Sequence, residues 1–112
     1  DRIHTYVCDQ SNPSQLKTLM DNQIKKKLDV IIDDGSHELS HQILSFNTLS
    51  PYLKKGGIYV IECIQPKNIA LLSNLSAFNN KSEIESKFDV VLYDTRKDTN
   101  KNDDFMMVFK VK

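Results

Sequence analysis

Side chains able to do chemistry fall in three short stretches of this 112-residue sequence: Asp9-Gln10, Asp33-Asp34-Gly35-Ser36-His37, and Glu62-Cys63. Each follows a run rich in β-branched or aromatic residues, namely Ile3 to Val7, Leu28 to Ile32 and Ile58 to Ile61. If those runs are strands of one open sheet, the acids and the imidazole gather along its carboxyl edge, where α/β sheets bind ligands. Carboxylates beside a histidine suit a hard divalent cation, whose preferred ligands are oxygens. They also suit a general base, because a neutral imidazole near pH 7 can take a proton from a substrate hydroxyl, a step typically worth ~10²–10⁴ in rate. Taken singly, Asp33 or Asp34 could merely open a turn and cap a helix. It is the grouping that favours a site.

A second motif competes for the same residues. His37-Glu38-Leu39-Ser40-His41 matches the H-E-x-x-H pattern in which two histidines one helical turn apart bind zinc and the glutamate activates water. Here His37 would be the first helical residue after a strand and a glycine turn, whereas that motif sits inside a long helix and needs a third protein ligand. On a helical wheel both histidines also lie opposite Leu39, which makes His41 a solvated surface residue.

The elements that must position these groups can be read from apolar period and punctuation. Ile3 to Val7 reads as a short strand, with His4 on its surface, and it breaks at Asp9-Gln10-Ser11-Asn12. Asn12 before Pro13 caps a helix whose apolar positions Leu16, Leu19, Met20 and Ile24 carry it to Lys27, the lysines at its end complementing the helix dipole. Leu28 to Ile32 reads as a strand buried on both faces. A helix capped by Ser36 follows, with Leu39, Ile43, Phe46, Leu49 and Leu53 on its apolar side, and Gly56-Gly57 leads into a buried strand, Ile58 to Glu62. This is a strand, helix, strand unit with a right-handed crossover. Ile69 to Phe78 and Ser82 to Lys87 are weaker helical stretches. Phe88 to Asp94 and Phe105 to Val111 are strands whose polar connection, Thr95 to Asp104, is too short for a crossover helix, so they pair antiparallel, with the second buried on both faces.

Composition narrows the class further. A chain of 112 residues makes one domain, and 39% hydrophobic with 27% charged residues calls for a packed core. Fifteen basic residues balance fifteen acidic ones, so no electrostatic footprint marks nucleic acid or an anionic membrane as a partner. No apolar run approaches the ~20 residues that span a bilayer. Two distant cysteines, Cys8 and Cys63, fit a reducing compartment, and a cytoplasmic location is expected.

Asp29-Val-Ile-Ile-Asp-Asp-Gly-Ser-His37, the segment Tyr52-Leu-Lys-Lys-Gly-Gly57 and Ile58-Tyr-Val-Ile-Glu62 resemble the second half of a class I S-adenosylmethionine-dependent methyltransferase, most of all the metal-dependent sugar O-methyltransferases of the macrocin and mycinamicin type. The likeness runs from about Tyr6 to Glu62 and more weakly through the last two strands. It implies a partial Rossmann-like three-layer α/β sandwich: a mostly parallel sheet that ends in an antiparallel hairpin and lacks its first two strands. Residues 1–112 are then a single domain, the C-terminal fragment of a methyltransferase domain.

The resemblance implies that His37 is the catalytic base, that Asp34 and Glu62 are magnesium ligands, and that Asp9, Gln10 and Asp33 bind S-adenosylmethionine. The acceptor would be a small molecule carrying a hydroxyl, such as a sugar. Two positions depart from the family. It has an aspartate metal ligand after the glutamate where this chain has Cys63, a soft thiol poorly matched to magnesium. It also has glycine where this chain has Cys8. The Gly-rich cofactor loop and the ribose-binding acid belong to the first two strands, so this segment alone is expected neither to bind the cofactor tightly nor to transfer a methyl group. Another copy, a swapped strand or a rearranged sheet would have to cover the gap. The remaining reading is a non-catalytic methyltransferase-like module for binding or assembly.

Overall fold

The computed structural model describes residues 2–112. Asn12 caps the first helix, α1 (Pro13–Thr18), its side-chain oxygen accepting from the Gln15 amide at 3.1 Å, and the helix runs on as a π-helical turn, Leu19–Ile24. Lys25 ends it in the left-handed conformation, φ 59°. Strand β1 (Leu28–Asp33), helix α2 (Leu39–Leu49) and strand β2 (Leu53–Ile61) form the expected unit, with β1 and β2 parallel. The second strand begins at Leu53 rather than Ile58, because the chain extends after a short 3-10 turn at Ser50–Tyr52. The register slips between Leu28 and Val30, opposite the segment that holds Gly56 at φ 78°.

Two short helices follow, α3 (Ile69–Ser73) and α4 (Lys81–Lys87), then β3 (Phe88–Asp94), a single helical turn α5 (Arg96–Thr99), and β4 (Phe105–Val111). The last strand lies antiparallel to both β2 and β3, giving the order β1-β2-β4-β3. Phe105, Met107 and Phe109 are buried, as suits a central strand.

The core lies on one face of this sheet. Phe46 of α2 sits at its centre, with ring centroids 4.3 Å from Phe109, 5.0 Å from Tyr59 and 5.4 Å from Phe88. Leu72 of α3 and Ile84 of α4 pack into the same cluster, and α1 packs on α2. Alternate residues point the other way: Val30, Ile32, Val91 and Tyr93 are 46–60% exposed, and Ile58, Val60, Met106 and Val108 are half-buried.

Four expectations therefore change. Among the described residues the molecule has two layers, not three, because no helix covers the second face. Leu28 to Ile32 is an edge strand buried on one face only. Ile3 to Val7 forms no strand; Ile3 is 84% exposed and Val7 fully so, since no neighbouring strand takes up their backbone groups. Without that strand the sheet is mixed, one parallel pair and two antiparallel pairs, rather than mostly parallel. The α/β class and the antiparallel end stand.

Candidate functional site

Parallel pairing of β1 with β2 sets Asp33 beside Ile61, so the residues leaving both strands emerge together at one edge. The Glu62 amide donates to the Asp33 carbonyl at 3.0 Å, which carries the pairing one step past the strands. Cys63 then turns into the left-handed region, φ 56°, and the Ile64 amide donates to the Phe105 carbonyl at 3.1 Å. That turn brings Cys63 Sγ within 3.7 Å of Asp34 Oδ1. Burial, and then the charge of Asp34, push the Cys63 thiol up from its ordinary range.

The loop between β1 and α2 is tied to the segment before α1. Gln10 Nε2 donates to both carboxylate oxygens of Asp33 at 2.8 Å, while Gln10 Oε1 accepts from the Ser36 amide at 2.8 Å. Asp33 Oδ1 also accepts from the Gly35 amide at 3.2 Å. A Cβ on residue 35 would lie 2.4 Å from Gln10 Oε1, so the clamp in this geometry leaves no room for a side chain there. Asp33 is buried, and that burial raises its carboxyl above the usual range against the lowering effect of the Gly35 and Gln10 hydrogen bonds.

Asp34, His37 and Cys63 converge, one ligand atom from each lying within 4.8 Å of the other two. Asp34 is exposed and the other two are half-buried. Asp34 and His37 thus meet as the sequence suggests, and Cys63, read there as a departure, stands with them. Its position directly after a strand-terminal acid was the available signal. Glu62 is adjacent in sequence but is not part of this convergence. Gln10 and Asp33 spend their polar atoms on each other and on the loop. Asp9 is exposed and accepts from the Ser11 amide and hydroxyl at 2.9 and 2.7 Å, bonds that hold its carboxyl below the usual range.

The zinc-hydrolase motif does not form. Helix α2 begins at Leu39, so His37 lies outside it and the two histidines are not one helical turn apart. His41 Nδ1 is instead 2.8 Å from the Ser36 hydroxyl. Two features of the buried interior were not read from sequence. The Tyr59 hydroxyl and the Gln42 side-chain amide are buried without a hydrogen-bond partner among the described residues.

No family model matches the chain. Sixty-four residues are 47% identical to 8-demethyl-8-alpha-L-rhamnosyl tetracenomycin-C 2'-O-methyltransferase of Streptomyces olivaceus, covering 57% of this chain and 16% of that protein. Demethylmacrocin O-methyltransferase of Streptomyces fradiae is 44% identical over 61 residues, 54% of this chain and 15% of that one. The fold is shared with the solved MycE methyltransferase of the mycinamycin pathway, in complex with Mg and SAH, at a TM-score of 0.70 and 22% identity; the match covers 98% of this chain and 33% of that chain. The resemblance to sugar O-methyltransferases of the macrocin and mycinamicin type therefore holds in sequence, and the partial methyltransferase fold holds in three dimensions. The matched region is about a sixth of the length of these curated relatives.

Proposed function

We propose that this chain is the later part of an S-adenosylmethionine-dependent O-methyltransferase domain acting on a hydroxyl of a sugar or glycosylated natural product. The observation that carries the reading is the meeting of Asp34 and His37 at the shared carboxyl edge of β1 and β2. His37 takes the proton of the acceptor hydroxyl as that oxygen bonds to the methyl carbon. The carbon–sulfur bond of the sulfonium breaks in the same step and leaves S-adenosylhomocysteine. Gln10 and Asp33 hold the loop that presents His37, and Asp9 is the residue this reading gives to the cofactor.

Asp34 and Glu62 are the oxygens this reading gives to a divalent cation. The donors that converge are one oxygen, one nitrogen and one sulfur, whereas magnesium takes oxygen ligands. The set does not fit that ion, and the proton step rests on His37 alone.

The bare face of the sheet and the unpaired edge of β1 support cover by a second copy or a swapped strand. Two free cysteines support a reducing, cytoplasmic setting. No described helix is long and apolar enough to cross a membrane.

The test is methyl transfer from S-adenosylmethionine to a glycosylated acceptor by the natural polypeptide that carries this sequence. His37→Ala should lower the rate by ~10²–10⁴, the usual contribution of a general base, while His41→Ala leaves it unchanged. Equal rates in both variants would overturn the role of His37. No transfer by the unsubstituted protein would favour the binding module that Cys63 also suits. Calorimetry on residues 1–112 should show no tight cofactor binding; micromolar affinity would refute their being only part of the site.

A further inference from the structure

We propose that Asp34, His37 and Cys63 form a binding site for a thiophilic divalent cation of the zinc class. The inference stands on the geometry of the three side chains and not on the methyl-transfer reading. One carboxylate oxygen, one imidazole nitrogen and one sulfur within 4.8 Å of one another are the three donor types zinc uses. Zinc bonds of ~2.3 Å to sulfur and ~2.1 Å to oxygen at the tetrahedral angle set those two ligands about 3.6 Å apart. Cys63 Sγ and Asp34 Oδ1 stand at 3.7 Å, so this edge of the tetrahedron needs almost no movement.

All three donors lie outside regular elements, on the turns that follow β1 and β2, where side-chain and backbone rotation can draw the imidazole in from within 4.8 Å of the other two donors. The left-handed conformation of Cys63 is what turns the thiol toward Asp34. Three protein ligands leave the fourth position to water, the pattern of an open zinc site. On binding, the Cys63 thiol gives its proton to solvent and coordinates as thiolate. The cation takes the lone pair of the His37 nitrogen that faces the other two donors, so metal binding and proton acceptance by that nitrogen exclude each other. The site therefore admits zinc as a competitor of the base.

Cobalt(II) is the probe, titrated into the purified reduced protein. One cobalt per chain should bind with a thiolate-to-metal charge-transfer band in the near ultraviolet, be displaced by zinc, and survive excess magnesium. Cys63→Ser should abolish the band, and His37→Ala should weaken binding by at least the ~10-fold that losing even an outer partner of a ligand costs. Cys8→Ser and His41→Ala should leave both band and affinity intact. A band that persists in Cys63→Ser or disappears in Cys8→Ser, displacement by magnesium as effective as by zinc, or no cobalt binding at all would overturn the proposal. If Cys63→Ser fails to fold by circular dichroism, His37→Ala, outside every helix and strand, carries the same decision.

Discussion

Gln10 and Asp33, 23 positions apart, are joined by two hydrogen bonds of 2.8 Å from one amide nitrogen to the two carboxylate oxygens. This pair fixes the segment before α1 against the carboxyl end of β1, and the other end of the Gln10 amide holds Ser36. The loop carrying Asp34 and His37 is thus held at both sides by one side chain. Gln10→Leu would leave a buried carboxylate with the Gly35 amide as its remaining donor. Leaving such a group short of partners costs ~1–3 kcal/mol. Urea denaturation should show a loss in that range, and a change below ~0.5 kcal/mol would mean the clamp contributes nothing.

Asp33 also gives stability a specific dependence on pH. Burial raises its folded-state pKa, so the native state binds its proton more readily than the unfolded chain does. The contribution is present below the unfolded value of ~3.9 and is lost as pH rises through the folded value. Several exposed carboxylates, Asp94 among them at about 2, act in the opposite sense. The measurement must therefore be a difference. Urea midpoints of the protein minus those of Asp33→Asn should fall as pH climbs from about 4, and a rising difference would reverse the assignment.

Gly35 and Gln10 should behave as one unit. A methyl group at residue 35 would sit 2.4 Å from Gln10 Oε1, so Gly35→Ala must shift the end of the glutamine side chain and disturb its bonds to Asp33 and Ser36. Its cost should match that of Gln10→Ala, ~1–3 kcal/mol. In the Gln10→Ala background the same glycine substitution should cost under ~0.5 kcal/mol, a coupling characteristic of residues in one network. Full additivity in the double-mutant cycle would show that the two act separately.

The β1-α2-β2 unit and the antiparallel pairing of β3 with β4 were legible because local signals agreed: a continuous apolar run, a helical period, and a connection too short to cross over. Ile3 to Val7 carried an equally good strand pattern and is coil, because a strand is a property of two partners and the pattern shows only one. The same reason made Leu28 to Ile32 look doubly buried when half of it faces outward. At the site, residue type and position in the chain were enough to bring Asp34 and His37 together. The place of Cys63 depends on a positive φ after β2, and the Gln10 clamp on a contact between distant segments; neither leaves a mark in local sequence.

The unpartnered hydroxyl of Tyr59 offers a test of the core itself. Tyr59 is fully buried, and burial, with the nearby charge of Asp33, raises its pKa far above the ordinary phenol value. Its ring packs edge-on against Phe46 at 5.0 Å, a contact phenylalanine would keep. The hydroxyl, by contrast, is buried with no hydrogen-bond partner among the described residues, and an unpaired buried hydroxyl costs ~1–3 kcal/mol. Tyr59→Phe should therefore stabilise the protein, and each kcal/mol gained should raise Tm by roughly 4–8 °C in a domain of about this size. Phe46→Ala, which empties the centre of the same cluster, should cost ~3–5 kcal/mol, and its loss provides the scale for reading the gain. A lower Tm for Tyr59→Phe would mean that the hydroxyl is satisfied in solution, with a buried water between it and Asp33 as the bridge to look for.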